Sequence, residues 1–176
     1  LDSMNIFYLD RDPVIAAQMQ CDKHVIKMIL ESAQMLSTAH RVLDGDDYAN
    51  DAGMYKLTHK NHPSAIWVRS CFENYVWLYK HMVALMEEYT FRYGKHHATE
   101  RLLFPLSSCP VTIPHRPCMK SYIMFQGRTW IPMVGFTDPP MCMPEECKGD
   151  DTVLAYQNYY IAEKSSFATY KNRSVP

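Results

Sequence analysis

Two stretches of this chain open on a proline and close on a glycine: Asp12-Pro13 to Gly45, and Pro63 to Gly94. Proline suits the first helical turn, where its missing N–H has no bond to make, and glycine suits the residue just past a helix end. Between these marks apolar residues recur at steps of three and four. The first stretch predicts one long helix, or two with a break near Gln20–Asp22. The second predicts another major helix, carried by Trp67, Cys71, Trp77, Leu78, Leu85 and Tyr89. Two long helices with oily faces must bury those faces on each other, so the expected fold is mainly α: a compact single domain over residues 4–176 built on two long packed helices.

The rest of the chain adds to that pair. Helical spacing returns from Asp150 to Lys171 through Val153, Tyr156, Tyr160, Phe167 and Tyr170, which predicts a C-terminal helix. Residues 46–60 are polar and predict a loop with a short helical turn. Eight of the eleven prolines lie between Pro105 and Pro144; they rule out a long helix and predict a Pro-rich irregular insert over residues 105–148. Within it, "SYIMFQGRTWIPMVGF" is compatible with a small hairpin turning at Gly127-Arg128.

Composition excludes several classes. With 176 residues, 47% hydrophobic and 21% charged, the chain can bury a substantial core and is unlike a disordered segment. No apolar run approaches the roughly 18 residues of a membrane span, and no secretory signal is present, so a cytoplasmic monomer is expected, in the host cytoplasm if phage-encoded. Leu1-Asp2-Ser3 reads as a cloning remnant, with Met4 as the native start. The six cysteines, Cys21, Cys71, Cys109, Cys118, Cys142 and Cys147, form no evident disulfide framework and read as reduced thiols. Net charge is -1 and the pI about 6.8, which gives no overall attraction to nucleic acid. The distribution differs: Lys56 to Arg101 carries seven Lys or Arg against four Glu, with five His, whereas Asp138 to Asp151 is mostly acidic.

The chemistry-bearing pattern lies in "CDKHVIKMILESAQ". At about 100° per residue, His24, Lys27, Glu31, Gln34, Thr38 and Arg41 fall in one arc, with apolar residues on both flanks, among them Ile26 and Leu30. On the second predicted helix Asn74, His81 and Glu88 repeat every seven residues, with Arg92 near the same line. Two polar seams between oily helices imply either an internal salt-bridge network or a water-filled cleft, because unpaired buried charge costs several kcal/mol. A cleft holding His, Lys and Glu suits general acid and base chemistry, or a lysine nucleophile. His59-x-x-His62 and His96-His97 lack matched second pairs, so no metal or other cofactor is expected. Trp67 and Trp77 read as core, and the aromatic residues of the C-terminal helix read as packing rather than base stacking.

Asp22-Lys23-His24, with Glu31 seven residues after the His and Gln34 beyond it, resembles the first helix of the pyrimidine-dimer DNA glycosylase/AP-lyase family of the phage endonuclease V type and its bacterial relatives. The likeness continues into "NHPSAIW" and the helix ending in "RYG", and faintly into "YYIAEK". It covers residues 4 to 100 and leaves out the Pro-rich middle. The resemblance implies a metal-independent, mainly helical DNA-repair protein, a phage protein in type, that binds duplex DNA, removes a damaged or modified pyrimidine, and attacks the sugar C1′ with an amine. It implies Glu31 as catalytic carboxylate and His24 on phosphate or sugar, with Lys23, Lys27 and Arg41 as phosphate contacts; Lys27, in the buried strip, is also a catalytic candidate. Lys23, Gln34, Arg41, His62, Asn74, His81, Glu88 and Arg92 are the further substrate-binding candidates.

One departure bears on the nucleophile. The phage enzymes use the α-amine of a small N-terminal residue, whereas here Asn5 follows Met4, before which Met is retained. Three options stay open: the amine of Met4, blocked when three residues precede it; the ε-amine of Lys27; or no lyase chemistry. Two rival readings accompany the first, a non-catalytic nucleic-acid or nucleotide-binding protein, and an enzyme on a nucleotide-like small molecule in which Glu31 and His81 do acid and base work.

Overall fold

The structure is a computed structural model that describes residues 4–114, 122–125, 129–132 and 135–176. After a buried irregular segment (Met4, Ile6, Phe7, Tyr8 and Leu9 are all under 5% exposed), α1 runs Pro13–Met19. Asp12 caps it, its Oδ1 accepting the Val14 N–H at 2.8 Å, with Pro13 in the first turn. The chain breaks at Gln20–Cys21, where the expected break lies, and α2 runs Asp22–Asp44 to Gly45, whose φ is 82°. After α3 (Asp47–Asp51), α4 spans Pro63–Ser70 and α5 spans Phe72–Tyr93, closing on Gly94 in the left-handed region at φ 67°. Helix α2 packs along α5, with α1 against α5 and α4 against α2. The fold is mainly α, as expected.

The second stretch is not one helix. Cys71 is extended (φ -160°, ψ 161°) between α4 and α5. Its thiol donates to the Gly135 carbonyl at 3.2 Å, and the Phe72 N–H to the Pro114 carbonyl at 3.0 Å. The Phe72 N–H, which a continuous helix would have bonded within itself, is thus taken by distant chain, and the Cys71 thiol fixes the extended residue before it. Trp77, Tyr75, Leu78, Met35, Leu36 and Ile29 fill the core, and Trp67 and Trp77 are both buried in it.

Beyond α5 come a 3-10 turn (Ala98–Leu102), the short α6 (Leu103–Leu106), and strands β1 (Tyr122–Phe125) and β2 (Thr129–Pro132), antiparallel with Tyr122 opposite Pro132 and Phe125 opposite Thr129. The expected turn at Gly127-Arg128 lies outside the described residues. Helix α7 (Thr152–Tyr159) is shorter than its spacing suggested, passing into a π turn over Tyr160–Lys164. The following residues fold back onto α2 instead: the Lys171 N–H donates to both Asp22 carboxylate oxygens (2.9 and 3.1 Å), and the Asp22 N–H to the Thr169 carbonyl at 2.8 Å.

Candidate active site

The polar strip of α2 straddles the edge between core and solvent. Ile26 and Leu30, beyond the strip, are 40% and 38% exposed, so solvent lies on that side. Lys23 and Lys27 therefore project outward, whereas His24 and Glu31 are buried at 5% each. Glu31 meets the outside through its neighbour, Oε2 standing 3.6 Å from Lys27 Nζ. Gln34, half-buried, follows one turn on.

At this edge opens a cleft of about 720 Å³. Helix α2 gives it Lys23, His24, Lys27 and Met28; the N-terminal segment gives Met4, Asn5 and Phe7; and the start of α4 gives His62 and Pro63. The other wall is Met141 to Pro144 and Lys148, with Tyr159, Lys164 and Phe167. Four lysines and two histidines thus line it, and no carboxylate does among the described residues. The acids gather in a separate pocket of about 560 Å³, lined by Asp10, Asp138, Asp150 and Asp151 with Arg11. This segregation reconciles a near-neutral chain with a cationic cleft.

His24 of α2 is held by three aromatic rings. Phe7 stacks on its ring at 4.2 Å between centroids and 13° between planes, while Tyr160 and Phe167 meet it edge-on. Phe7 itself adopts φ 55°, a left-handed conformation costing roughly 1–2 kcal/mol for a residue with a Cβ. Asn5 steadies it, its Oδ1 accepting the N–H of Ile6 (2.7 Å) and of Phe7 (3.0 Å) while its Nδ2 donates to the Cys142 carbonyl. His62 caps α4, Nδ1 accepting the Ser64 N–H at 3.1 Å, and burial with the nearby His59 pushes its pKa below the ordinary value, so it stays neutral near pH 7.

Lys164 owes its position to the π turn. Bonding from i to i+5 brings positions five apart into line, and Lys164 Nζ lies 4.8 Å from the Tyr159 ring centre. Lys23 Nζ lies 5.1 Å from the Phe167 ring centre. Neither lysine has an ion pair among the described residues, whereas Lys148 pairs with Glu145 at 2.8 Å.

The remaining sequence candidates are elsewhere, outside the described lining of the cleft. Arg41 ties down the loop after α2, donating to the Tyr55 and Met54 carbonyls, Asp46 and Asn50. Asn74 bridges Trp67 and Thr137. His81 is fully buried and stacked on Trp77. Its Nδ1 donates to the Pro13 carbonyl at 2.9 Å, Nε2 accepts from Gln20 at 3.0 Å, and burial lowers its pKa to about 4. Arg92, 1% exposed, donates to Glu88 (2.9 Å), Asp22 (3.1 Å) and the Gln18 carbonyl (3.0 Å), and Arg173 donates twice to Glu88. That is the internal network, one of the two arrangements the polar seams implied.

Residues 4–101, more than half of the chain, match the family described as pyrimidine dimer DNA glycosylase. The chain belongs to that family. Its general function is accordingly that of a pyrimidine dimer DNA glycosylase-like protein. No curated protein and no solved structure matches the chain. The family match takes in one side of the cleft, Met4, Asn5, Phe7, Lys23, His24, Lys27, Met28, His62 and Pro63, and also Glu31, which stands behind Lys27 and outside the lining. The other side, Met141 to Pro144, Lys148, Tyr159, Lys164 and Phe167, comes from beyond it. Sequence reasoning missed Lys148, Lys164 and Phe7; the faint "YYIAEK" likeness was the signal for Lys164, and Tyr159 and Phe167 were weighed as base-stacking aromatics but read as packing.

Proposed function

We propose that the protein excises damaged or modified pyrimidines from duplex DNA at the cleft beside α2 and cleaves the abasic strand. The observation that carries this reading is the lining itself: His24 and Lys27 stand among four lysines with no described carboxylate in the wall, a setting that attracts a phosphate backbone. Lys23, Lys148 and Lys164 bind phosphates, and His24 and His62 donate to phosphate or sugar oxygens. Two amines suit attack on the sugar, Lys27 Nζ and the α-amine of Met4 when Met4 heads the chain. The lone pair of the amine bonds to C1′ as the bond from C1′ to the base breaks, and the base departs with that electron pair and takes up a proton. The attached amine gives up a proton, its lone pair then expels O4′, which takes up a proton as the C1′–O4′ bond breaks, and the ring opens to an iminium; loss of a C2′ proton then expels the 3′ phosphate. Glu31, 3.6 Å from Lys27, offsets the developing positive charge and relays protons through that amine.

A nicking assay on duplex containing a single pyrimidine dimer tests this, with Lys27→Ala and Glu31→Gln expected to lower cleavage at least about 100-fold, within the range of acid–base contributions. Wild-type rates in both variants would remove the assignment. A second reading, a nucleotide-like small molecule as ligand, is favoured by the size of the cleft, which falls within the roughly 300–1,000 Å³ of small-molecule sites. Binding of a free nucleotide with no measurable affinity for duplex would select it.

A further inference from the structure

Tyr160 lies outside the region that matches the family, yet its hydroxyl is 2.5 Å from Nδ1 of His24. A phenol has one proton to give and lone pairs to receive. The Cys21 N–H donates to this oxygen at 3.2 Å, which occupies a lone pair. The O–H then has two acceptors in reach, His24 Nδ1 at 2.5 Å and Cys21 Sγ at 3.6 Å. A ring nitrogen is the stronger acceptor and is far closer, so it takes the proton. Burial pushes the Tyr160 phenol well above its ordinary range, so the donor persists at every physiological pH.

The ring cannot turn to escape this bond, because Phe7 covers its face and Phe167 abuts its edge. We propose that Tyr160 is a positioning residue: its O–H···Nδ1 bond holds His24 as the Nε2–H tautomer, so the ring presents an N–H at that atom and selects an acceptor. In the cleft such an acceptor is a phosphate or sugar oxygen. This consequence rests on the function proposed above, whereas the tautomer does not. A second copy of the logic operates at His62, where the Ser64 N–H on Nδ1 likewise leaves the ring proton on Nε2.

The test is a long-range proton–nitrogen spectrum of the ¹⁵N-labelled protein near neutral pH, with His24 assigned by the loss of its signals in His24→Gln. The wild-type ring is expected as a single tautomer with protonated Nε2 and bare Nδ1. In Tyr160→Phe, which keeps the packing, the signals move toward a mixture as proton density reaches Nδ1. A wild-type ring protonated on Nδ1, or a pure Nε2–H pattern persisting in Tyr160→Phe, overturns the inference. Because the first of these readings uses only the unaltered protein, a folding defect in the variant does not spare the proposal. Tyr160→Phe is also expected to lower kcat/KM on dimer-containing duplex by about tenfold, the scale of one hydrogen bond. The spectrum reads the ring alone, so absent duplex activity would count against the reading of the cleft and not against Tyr160.

Discussion

Salt dependence of duplex binding follows directly from the cleft's lysines. Each phosphate neutralised by a protein cation releases counterions, and log K falls with log salt at a slope of about -0.9 per contact. Among the described residues of the cleft, Lys23, Lys27, Lys148 and Lys164 offer at most four contacts, hence a slope of about -3.6. Lys27 and Lys148 already have carboxylate partners, Glu31 and Glu145. If DNA does not displace those, two contacts remain and the slope is about -1.8. Between ~50 and ~200 mM salt the affinity should therefore fall by roughly 12- to 150-fold. Fluorescence anisotropy on a short duplex across that range measures it. The double variant Lys23→Ala/Lys164→Ala should flatten the slope by about 1.8. A slope near zero, or an unchanged slope in the double variant, would refute the assignment of this cleft to a phosphate backbone.

Three further outcomes concern the framework. Arg92→Met should destabilise the fold by about 3–5 kcal/mol in urea titrations, because it strips a buried guanidinium from Glu88, Asp22 and the Gln18 carbonyl; the salt slope of DNA binding should not change. Thermal melts should show stability falling as pH drops from about 6.5 toward about 4: His81 is neutral and buried when folded, with its pKa lowered to about 4, so the unfolded chain binds its proton first, and His81→Gln should flatten that limb. Gly135→Ala should lower the melting temperature, because φ there is 91° and an added Cβ would lie 2.7 Å from the Glu73 carboxyl carbon; a melting point equal to wild type would contradict the close approach.

Much of this fold was legible because helix punctuation is local chemistry. Asp12-Pro13, Gly45, Pro63 and Gly94 mark helix ends through bonds made within a few residues, and all four stand where they were expected. The break at Cys71 was hidden, since its cause is hydrogen bonding to Gly135 and Pro114, more than 40 residues away in sequence. The π turn was hidden for a similar reason: Tyr160 binds Cys21 and His24 across nearly the whole chain. On α2 the spacing revealed the strip but not its orientation. Exposed Ile26 and Leu30 look like core in a list of residues, and only the packed helices show that solvent lies beside them. In the cleft's second wall Lys148 sits in the Pro-rich segment without periodicity and Lys164 lies off the apolar line of its helical stretch, so both escaped notice while Asn74 and Arg92, on the polar line of the second long helix, drew it.

Borohydride trapping on duplex DNA bearing an abasic site, followed by peptide mapping, addresses the amine chemistry most directly. The expected result is a covalent adduct on the peptide carrying Lys27, or on Met4 in protein whose chain begins there, with the adduct lost in Glu31→Gln. Tight duplex binding that never yields an adduct, or an adduct on a lysine outside the cleft, would contradict the account.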